Sequence, residues 1–228
     1  MPVKCRICGL GKSFNEARVV ADFSLALERG ELVVILGPSG CGKTTTLRMI
    51  AGLTVPDIGS IEIDGRMVSD PAHNVFVRPE HRHLGMVFQS YAIWPHMSVL
   101  QNVAYPLRMQ GMRAAARRRK ALETLDLVGL VDAAGRTATA LSGGQMQRVA
   151  LARALVSDPA LVLFDEPLSN LDLKLRERLR TELKALRRRT RMTGVYVTHD
   201  QTEAVELADR IVVMDRGGVV QISTPEEL

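Results

Sequence analysis

The sequence has few cysteines, no long apolar run and no repetitive tract, and each shortage removes a class of protein. Three cysteines in 228 residues (Cys5, Cys8 and Cys41) are too few and too unevenly placed for a disulfide framework, which points to a reducing compartment. The longest apolar runs, such as Leu32–Leu36 and Ala160–Phe164, fall well short of the roughly 18 residues that a bilayer-spanning helix needs, and read as buried strands. The N-terminal Met1-Pro2-Val3-Lys4-Cys5-Arg6 carries no signal-peptide core, so the chain is expected to stay in the cytosol and to meet a membrane only through a partner. Without a repeat, a low-complexity stretch or a Pro/Ser-rich linker, one domain across 1–228 is expected, with no clean internal boundary. What the chain does have is an ordinary globular balance: 46% hydrophobic, 24% charged, mean hydropathy +0.04. That excludes disorder and supplies a sizeable core. The net charge of +5 favours an anionic partner without being a nucleic-acid signature by itself.

Local periodicity organises the chain. Residues 3–8 alternate, with Cys5 and Ile7 on one side and Arg6 and Cys8 on the other, as in a half-buried strand. Residues 18–36 give two strands around the turn at Arg29-Gly30, and Ile58–Val68 a hairpin turning at Asp64-Gly65. Helical signal dominates from Ser98 to about Ser157. After that, apolar runs at 161–165, 194–198 and 211–215 alternate with helical stretches 172–192 and 200–208, a pattern of parallel strands with crossover helices. The expectation is an α/β core at about 1–90 and 158–228 with β-rich material early, and a helical insertion at about 91–157.

The strand Leu32–Leu36 runs directly into Gly37-Pro38-Ser39-Gly40-Cys41-Gly42-Lys43-Thr44, with helical Thr45–Leu53 behind it. This is G-x-x-x-x-G-K-[ST] between a buried strand and a helix, the context that gives the motif meaning. Glycines 37, 40 and 42 let the backbone bend around phosphate oxygens, and the helix start adds a field that favours an anion. Lys43 is placed to reach the β- and γ-phosphates and the Thr44 hydroxyl to ligate Mg²⁺.

Leu161-Val-Leu-Phe-Asp165-Glu166 is a buried strand ending in two carboxylates. Asp165 is placed to hold Mg²⁺, largely through water, and Glu166 to polarise an attacking water as general base. Val195-Tyr-Val-Thr-His199 repeats the geometry, so His199 is a candidate for contacting the γ-phosphate and keeping the water and Glu166 in register. His73, His81, His83 and His96 carry no such context. Gln89 follows the strand Gly85–Phe88 and is placed to meet Mg²⁺ and water, or is a plain loop amide. Leu141-Ser142-Gly143-Gly144-Gln145 opens a further helix, with Ser142 as its N-cap. The chain then has two anion-binding helix starts and one lysine loop. Two copies arranged antiparallel would let each close the other's site.

The order of these motifs, with Ser169-Asn-Leu-Asp172 between Glu166 and His199, resembles the nucleotide-binding subunit of an ABC transporter from about Val3 to Glu226. The resemblance implies a P-loop NTPase fold: a parallel-sheet core, an antiparallel β subdomain and an inserted α-helical subdomain. It implies ATP and Mg²⁺ as ligands and a homodimer, or a pair with a similar ATPase chain, around two ATP. It further implies integral membrane permease subunits and an extracytoplasmic solute-binding protein as partners. The place would be the cytoplasmic face of the inner membrane, peripherally, with no nucleic acid expected. By the same resemblance Phe14, 23 positions before Gly37, stacks on adenine, the alternative being a hydrophobic plug. Thr45 touches the α-phosphate; Ser142, Gly143, Gly144 and Gln145 meet the partner copy's γ-phosphate; Ser169–Asp172 link the two sites.

Ser90–Val99 resembles the segment that faces a membrane-subunit helix in importers for sugars, ferric iron, polyamines or sulfate, with core packing as the other reading of Trp94 and Met97. Those importers usually continue into a small β-barrel regulatory domain, whereas this sequence stops at Leu228. The rival functions are the motor of an exporter or lipid-extraction complex, and a soluble ABC-type ATPase acting on DNA. The 105 positions from Gly37 to Ser142 hold no heptad run, which argues against the second. Cys5-Arg-Ile-Cys8 lacks a second ligand pair for zinc. Cys41, inside the loop, is a site where alkylation would block nucleotide. The basic runs Arg113–Lys120 and Arg176–Arg191 read as solvated, ion-paired helix faces.

Overall fold

The computed structural model describes residues 3–228, so the reading made on Met1 and Pro2 lies outside it. Along the chain, β1 (Val3–Phe14) and β2 (Ala17–Glu28) form a long hairpin, and β3 (Leu32–Leu36) feeds the loop before α1 (Lys43–Ala51). Next come β4 (Ile58–Ile63), β5 (Arg66–Asp70), the short β6 (Val75–Phe76) and β7 (Leu84–Val87). Three helices follow: α2 (Val99–Met109), α3 (Ala114–Leu127) and α4 (Gly143–Leu155). The rest alternates as β8 (Leu161–Asp165), α5 (Leu173–Thr190), β9 (Gly194–Thr198), α6 (Gln201–Leu207), β10 (Arg210–Asp215) and β11 (Gly218–Ser223).

The strands divide between two sheets. One is antiparallel, in the order β2-β1-β4-β5-β6; the other has the order β11-β10-β3-β9-β8-β7 and is parallel except for β11. All five residues of each of β3, β8 and β9 are buried, as expected where both faces of a parallel sheet are covered. Strand alternation sorts their side chains between two cores. Leu32, Val34, Val162, Phe164, Tyr196 and Ile211 pack towards α2–α6. Val33, Ile35, Leu163, Val197 and Val212 pack against Leu47 and Ile50 of α1 and against Ile7, Phe23 and Ile61 of the antiparallel sheet. Helix α1 is thus held between two sheets, and each fully buried Leu or Ile contributes about 1.5–3 kcal/mol to keeping it there.

A buried cation finishes α1. Arg82, 2% exposed, donates to Met49 O and Ile50 O at the helix end, and to Val77 O and Val68 O. Its burial lowers the guanidinium pKa to about 10.

The antiparallel strand β11 was not expected from the sequence. It pairs with β10 through a two-residue turn at Arg216-Gly217, both at positive φ (44° and 82°), the primed turn that suits strand twist. No helix among the described residues is long and apolar enough to cross a membrane.

Candidate functional site

The loop after β3 is shaped by glycine at two places. Gly42, with φ 102°, precedes α1, and a Cβ there would lie 2.4 Å from Val19 O. At Gly37 a Cβ would lie 2.2 Å from Met214 O, so β10 and the loop approach as closely as backbone allows. Helix α1 begins without a side-chain cap and without an acidic residue in its first turn, which leaves its N–H groups for an anion. Lys43, 4% exposed, donates from Nζ to Gly37 O at 2.7 Å and Pro38 O at 2.8 Å. Its ammonium therefore sits inside the ring of the loop. Pro38, Ser39 and Gly40 are exposed, Thr44 and Thr45 are half-buried, and the Cys41 thiol is buried, so a reagent reaches it only if the loop opens.

Strand β8 carries Asp165 to the same edge. Thr44 Oγ1 donates to Asp165 Oδ1 at 2.8 Å, joining the loop to the second acidic motif. Burial pushes the Asp165 carboxyl above its usual range, with Glu166 adding to the rise, against the Thr44 hydrogen bond and the charges of Arg48 and Lys43. This pair offers hard oxygen donors only, which suits Mg²⁺; two protein ligands are typical where phosphates and water complete the shell. Glu166 follows with φ 45°, a left-handed conformation that costs a non-glycine residue about 1–3 kcal/mol and tends to occur at functional sites. Its Oε2 lies 3.1 Å from Nδ1 of His199, just past β9. A carboxylate in its ionised form only accepts, so the partner that suits it here is an Nδ1–H donor.

The structure brings Lys43, Thr44, Asp165, Glu166 and His199 to one edge of the parallel sheet. Gln89 stands exposed two residues beyond β7, its carbonyl accepting from Asn170 Nδ2 at 3.0 Å. Phe14, 48% exposed at the end of β1, is not a core plug; the Lys12 ammonium lies 5.4 Å from its ring centroid. Asp57 binds both Lys12 Nζ and Ser13 N at 2.7 Å, which fixes that strand end. Ser142 and Gln145 form a capping box at the start of α4: Ser142 Oγ accepts from Gln145 N at 3.4 Å, and Gln145 Oε1 from Ser142 N at 3.1 Å. Among the described residues no hydrogen bond or ion pair links this helix start to the 37–44 loop of the same copy. Gly144 is buried against α5, where a Cβ would meet Leu175 at 3.0 Å, while Gly143 is half-buried.

Sequence reasoning missed several residues that hold the site. Arg153 on α4 donates to Ala92 O at 2.6 Å and Tyr91 O at 2.8 Å, and its guanidinium lies 4.8 Å from the centre of the Trp94 ring. It thereby clamps the segment after Gln89, whose Tyr91 and Ala92 have φ of 61° and 47°. Asn102, 0% exposed, completes the clamp by bonding Trp94 on both its N–H and its carbonyl. Arg176, read from sequence as part of a solvated face, instead turns into the loops around His199 with a side chain 22% exposed. On the same helix Arg178 pairs with Glu182 at 3.1 Å on the exposed face, as expected, whereas the Arg180 side chain, 11% exposed, pairs across to Glu206 of α6 at 2.7 Å. Cys5 and Cys8 lie on opposite faces of β1, one buried and one exposed.

Comparison with known proteins fits this arrangement. Residues 20–169 match the ABC transporter family. The chain is 49% identical over 223 residues to the trehalose/maltose import ATP-binding protein MalK of Thermococcus litoralis, covering 98% of this chain and 60% of that protein. It is 52% identical over 217 residues to the Fe(3+) ions import ATP-binding protein FbpC of Agrobacterium fabrum, covering 95% and 60%. The chain thus spans about 60% of the length of these curated relatives. Its fold superposes on a dimeric bacterial ABC transporter cassette, MJ0796, with TM-score 0.81 and 33% identity, covering 97% of this chain and 98% of that one. A post-hydrolysis form of that cassette, bound to ADP and Pi, gives 0.80. With the sheet order, the lysine loop, the paired carboxylates and these matches in agreement, the chain belongs to the ABC transporter family.

Proposed function

We propose that this chain is the ATP-binding and ATP-hydrolysing motor of an ABC importer. Two copies close around two ATP, reopen on hydrolysis, and drive separate membrane permease subunits served by an extracytoplasmic solute-binding protein. Such a motor sits peripherally at the cytoplasmic face of the membrane. The observation that carries the reading is the convergence at one sheet edge of two pairs, Thr44–Asp165 at 2.8 Å and Glu166–His199 at 3.1 Å.

In this reading the loop N–H groups and the Lys43 ammonium hold the β- and γ-phosphates of the substrate, Thr45 meets the α-phosphate and Phe14 stacks on adenine. Thr44, Asp165 and Gln89 hold Mg²⁺, which neutralises charge on the phosphates. Glu166 accepts the proton of the attacking water, and His199 fixes that carboxylate through Nδ1. The partner copy's Ser142, Gly143, Gly144 and Gln145 close the far side. The capping box uses Ser142 Oγ as an acceptor, which leaves its O–H free to donate to a γ-phosphate oxygen. The Ser90–Val99 segment, clamped by Arg153 and Asn102, faces the permease.

Relatives at 48–52% identity are named for trehalose/maltose, Fe(3+), sn-glycerol-3-phosphate and spermidine/putrescine. Such unrelated solutes on so similar a domain support placing solute choice in other chains. Import is favoured over the exporter reading because all these names are those of import proteins. Steeply salt-dependent binding of duplex DNA would instead support the DNA-acting reading. The test is Glu166→Gln in the purified chain: ATP affinity should stay within about twofold while turnover falls by about 10²–10⁴-fold, as on removal of a general base. Turnover within about twofold of the unaltered chain would remove Glu166 from the chemistry.

A further inference from the structure

The segment Ser169–Asp172 is bonded directly to the loops that carry Glu166 and Gln89, and through Arg176 to the loop that carries His199. Ser169 Oγ donates to Glu166 O at 2.9 Å, and Asn170 Nδ2 to Gln89 O at 3.0 Å. The link to His199 runs through Arg176, in the first turns of α5. Its Nη2 donates to Ser169 O at 3.3 Å and Leu171 O at 3.2 Å, while its Nη1 donates to Asp200 Oδ2 at 3.3 Å. Asp200 is the residue after His199, and it is fixed on all sides. Its Oδ1 accepts from Thr202 N at 2.8 Å and Glu203 N at 3.2 Å, which caps α6. Its N–H donates to Thr198 Oγ1 at 3.0 Å, and that hydroxyl donates to Glu203 Oε2 at 2.7 Å. Glu203, 2% exposed, also accepts from the buried Tyr196 hydroxyl at 2.8 Å. His199 is therefore held between two anchored neighbours, and Arg176 is the side chain that joins this anchor to the 169–172 segment.

We propose that Arg176 is a positioning residue that locks the Ser169–Asp172 segment to the loop carrying His199 and thereby holds the His199–Glu166 pair in place. This rests on the reading above, in which that pair serves the chemistry. Arginine suits the task because one flat guanidinium reaches a carboxylate from one nitrogen and two carbonyls from another, which a lysine ammonium cannot span. The charge at Asp200 is not the point; the fork is.

The test is Arg176→Lys, which keeps the charge and loses the fork, with Arg176→Gln as second variant if the first does not fold. Turnover is expected to fall by about tenfold to a hundredfold, the scale of a displaced catalytic group, with the KM for ATP within about twofold and thermal stability unchanged. The deciding readout is a double-mutant cycle with His199→Ala. If Arg176 acts through His199, the double variant turns over no more slowly than His199→Ala alone. Unchanged turnover in Arg176→Lys, or losses that multiply in the double variant, would overturn the proposal. ATP-dependent dimerisation of Glu166→Gln, followed with and without Arg176→Lys, separates the two ideas. Loss of the dimer in Glu166→Gln alone defeats the two-copy reading, whereas loss only on adding Arg176→Lys makes Arg176 an assembly residue and defeats the present one.

Discussion

At the scale of single residues, Lys43 and Asp165 make opposite demands on the fold. Lys43 places an ammonium against the carbonyls of Gly37 and Pro38, acceptors that a phosphate oxygen replaces with a stronger charge-assisted bond. Lys43→Ala should therefore weaken ATP binding in a direct titration and abolish turnover, with an unchanged circular dichroism spectrum. Asp165 is held above the usual carboxylate range by burial, so the folded chain keeps this proton to higher pH than the unfolded chain does. Between those two pKa values stability falls as pH rises: the contribution is full below the unfolded value and lost through the folded one. Asp165→Asn removes that cost and keeps an acceptor for Thr44. Its melting temperature at neutral pH should match or exceed that of the unaltered chain by up to about 4 °C, and its Mg-ATP turnover should vanish. A lower melting temperature at neutral pH would contradict the sign. Phe14, with 48% of its surface exposed, contributes little to the core. Phe14→Ala should raise the KM for ATP, with kcat nearly unchanged, by the loss of about 1–3 kcal/mol of stacking.

Elements show why some of this was legible beforehand. Unbroken apolar runs such as Leu32–Leu36 and Leu161–Phe164 lead into the glycine loop and the paired carboxylates of the proposed site, because strands buried on both faces release their first polar residues at the sheet edge. Fixed spacing made the 37–44 loop readable for the same reason: glycine is needed where Val19 O and Met214 O leave no room for a side chain. What escaped notice were cations bound to backbone. Arg82 and Arg153 donate to carbonyls as far as 33 and 62 positions away, and Arg176 to carbonyls five and seven positions back, and a carbonyl leaves no mark on sequence pattern. Strand β11 escaped because half its residues face solvent, so it lacks the apolar run that marks the other strands of its sheet. Arg82 gives the element-scale prediction. Arg82→Met leaves the carbonyls at the end of α1 unpaired in a buried site and should destabilise the chain by on the order of 3 kcal/mol. The melting temperature should drop by about 6–12 °C, and a drop under about 2 °C would show that water satisfies those carbonyls.

On the scale of the whole molecule, the lysine loop and the Ser142 helix start both present donors suited to phosphate, yet within one copy no hydrogen bond or ion pair joins them among the described residues. In the proposed function antiparallel pairing resolves this, each copy's Ser142 meeting the γ-phosphate bound by the other's Lys43. Glu166→Gln keeps shape and hydrogen bonding but loses the base, so it should trap the closed pair. Light scattering of Glu166→Gln with Mg-ATP should give a mass twice the 25.1 kDa of one chain, and adding Ser142→Arg should return it to a monomer. A Glu166→Gln chain that binds ATP yet stays monomeric at high concentration, or a dimer indifferent to Ser142→Arg, would contradict the shared site.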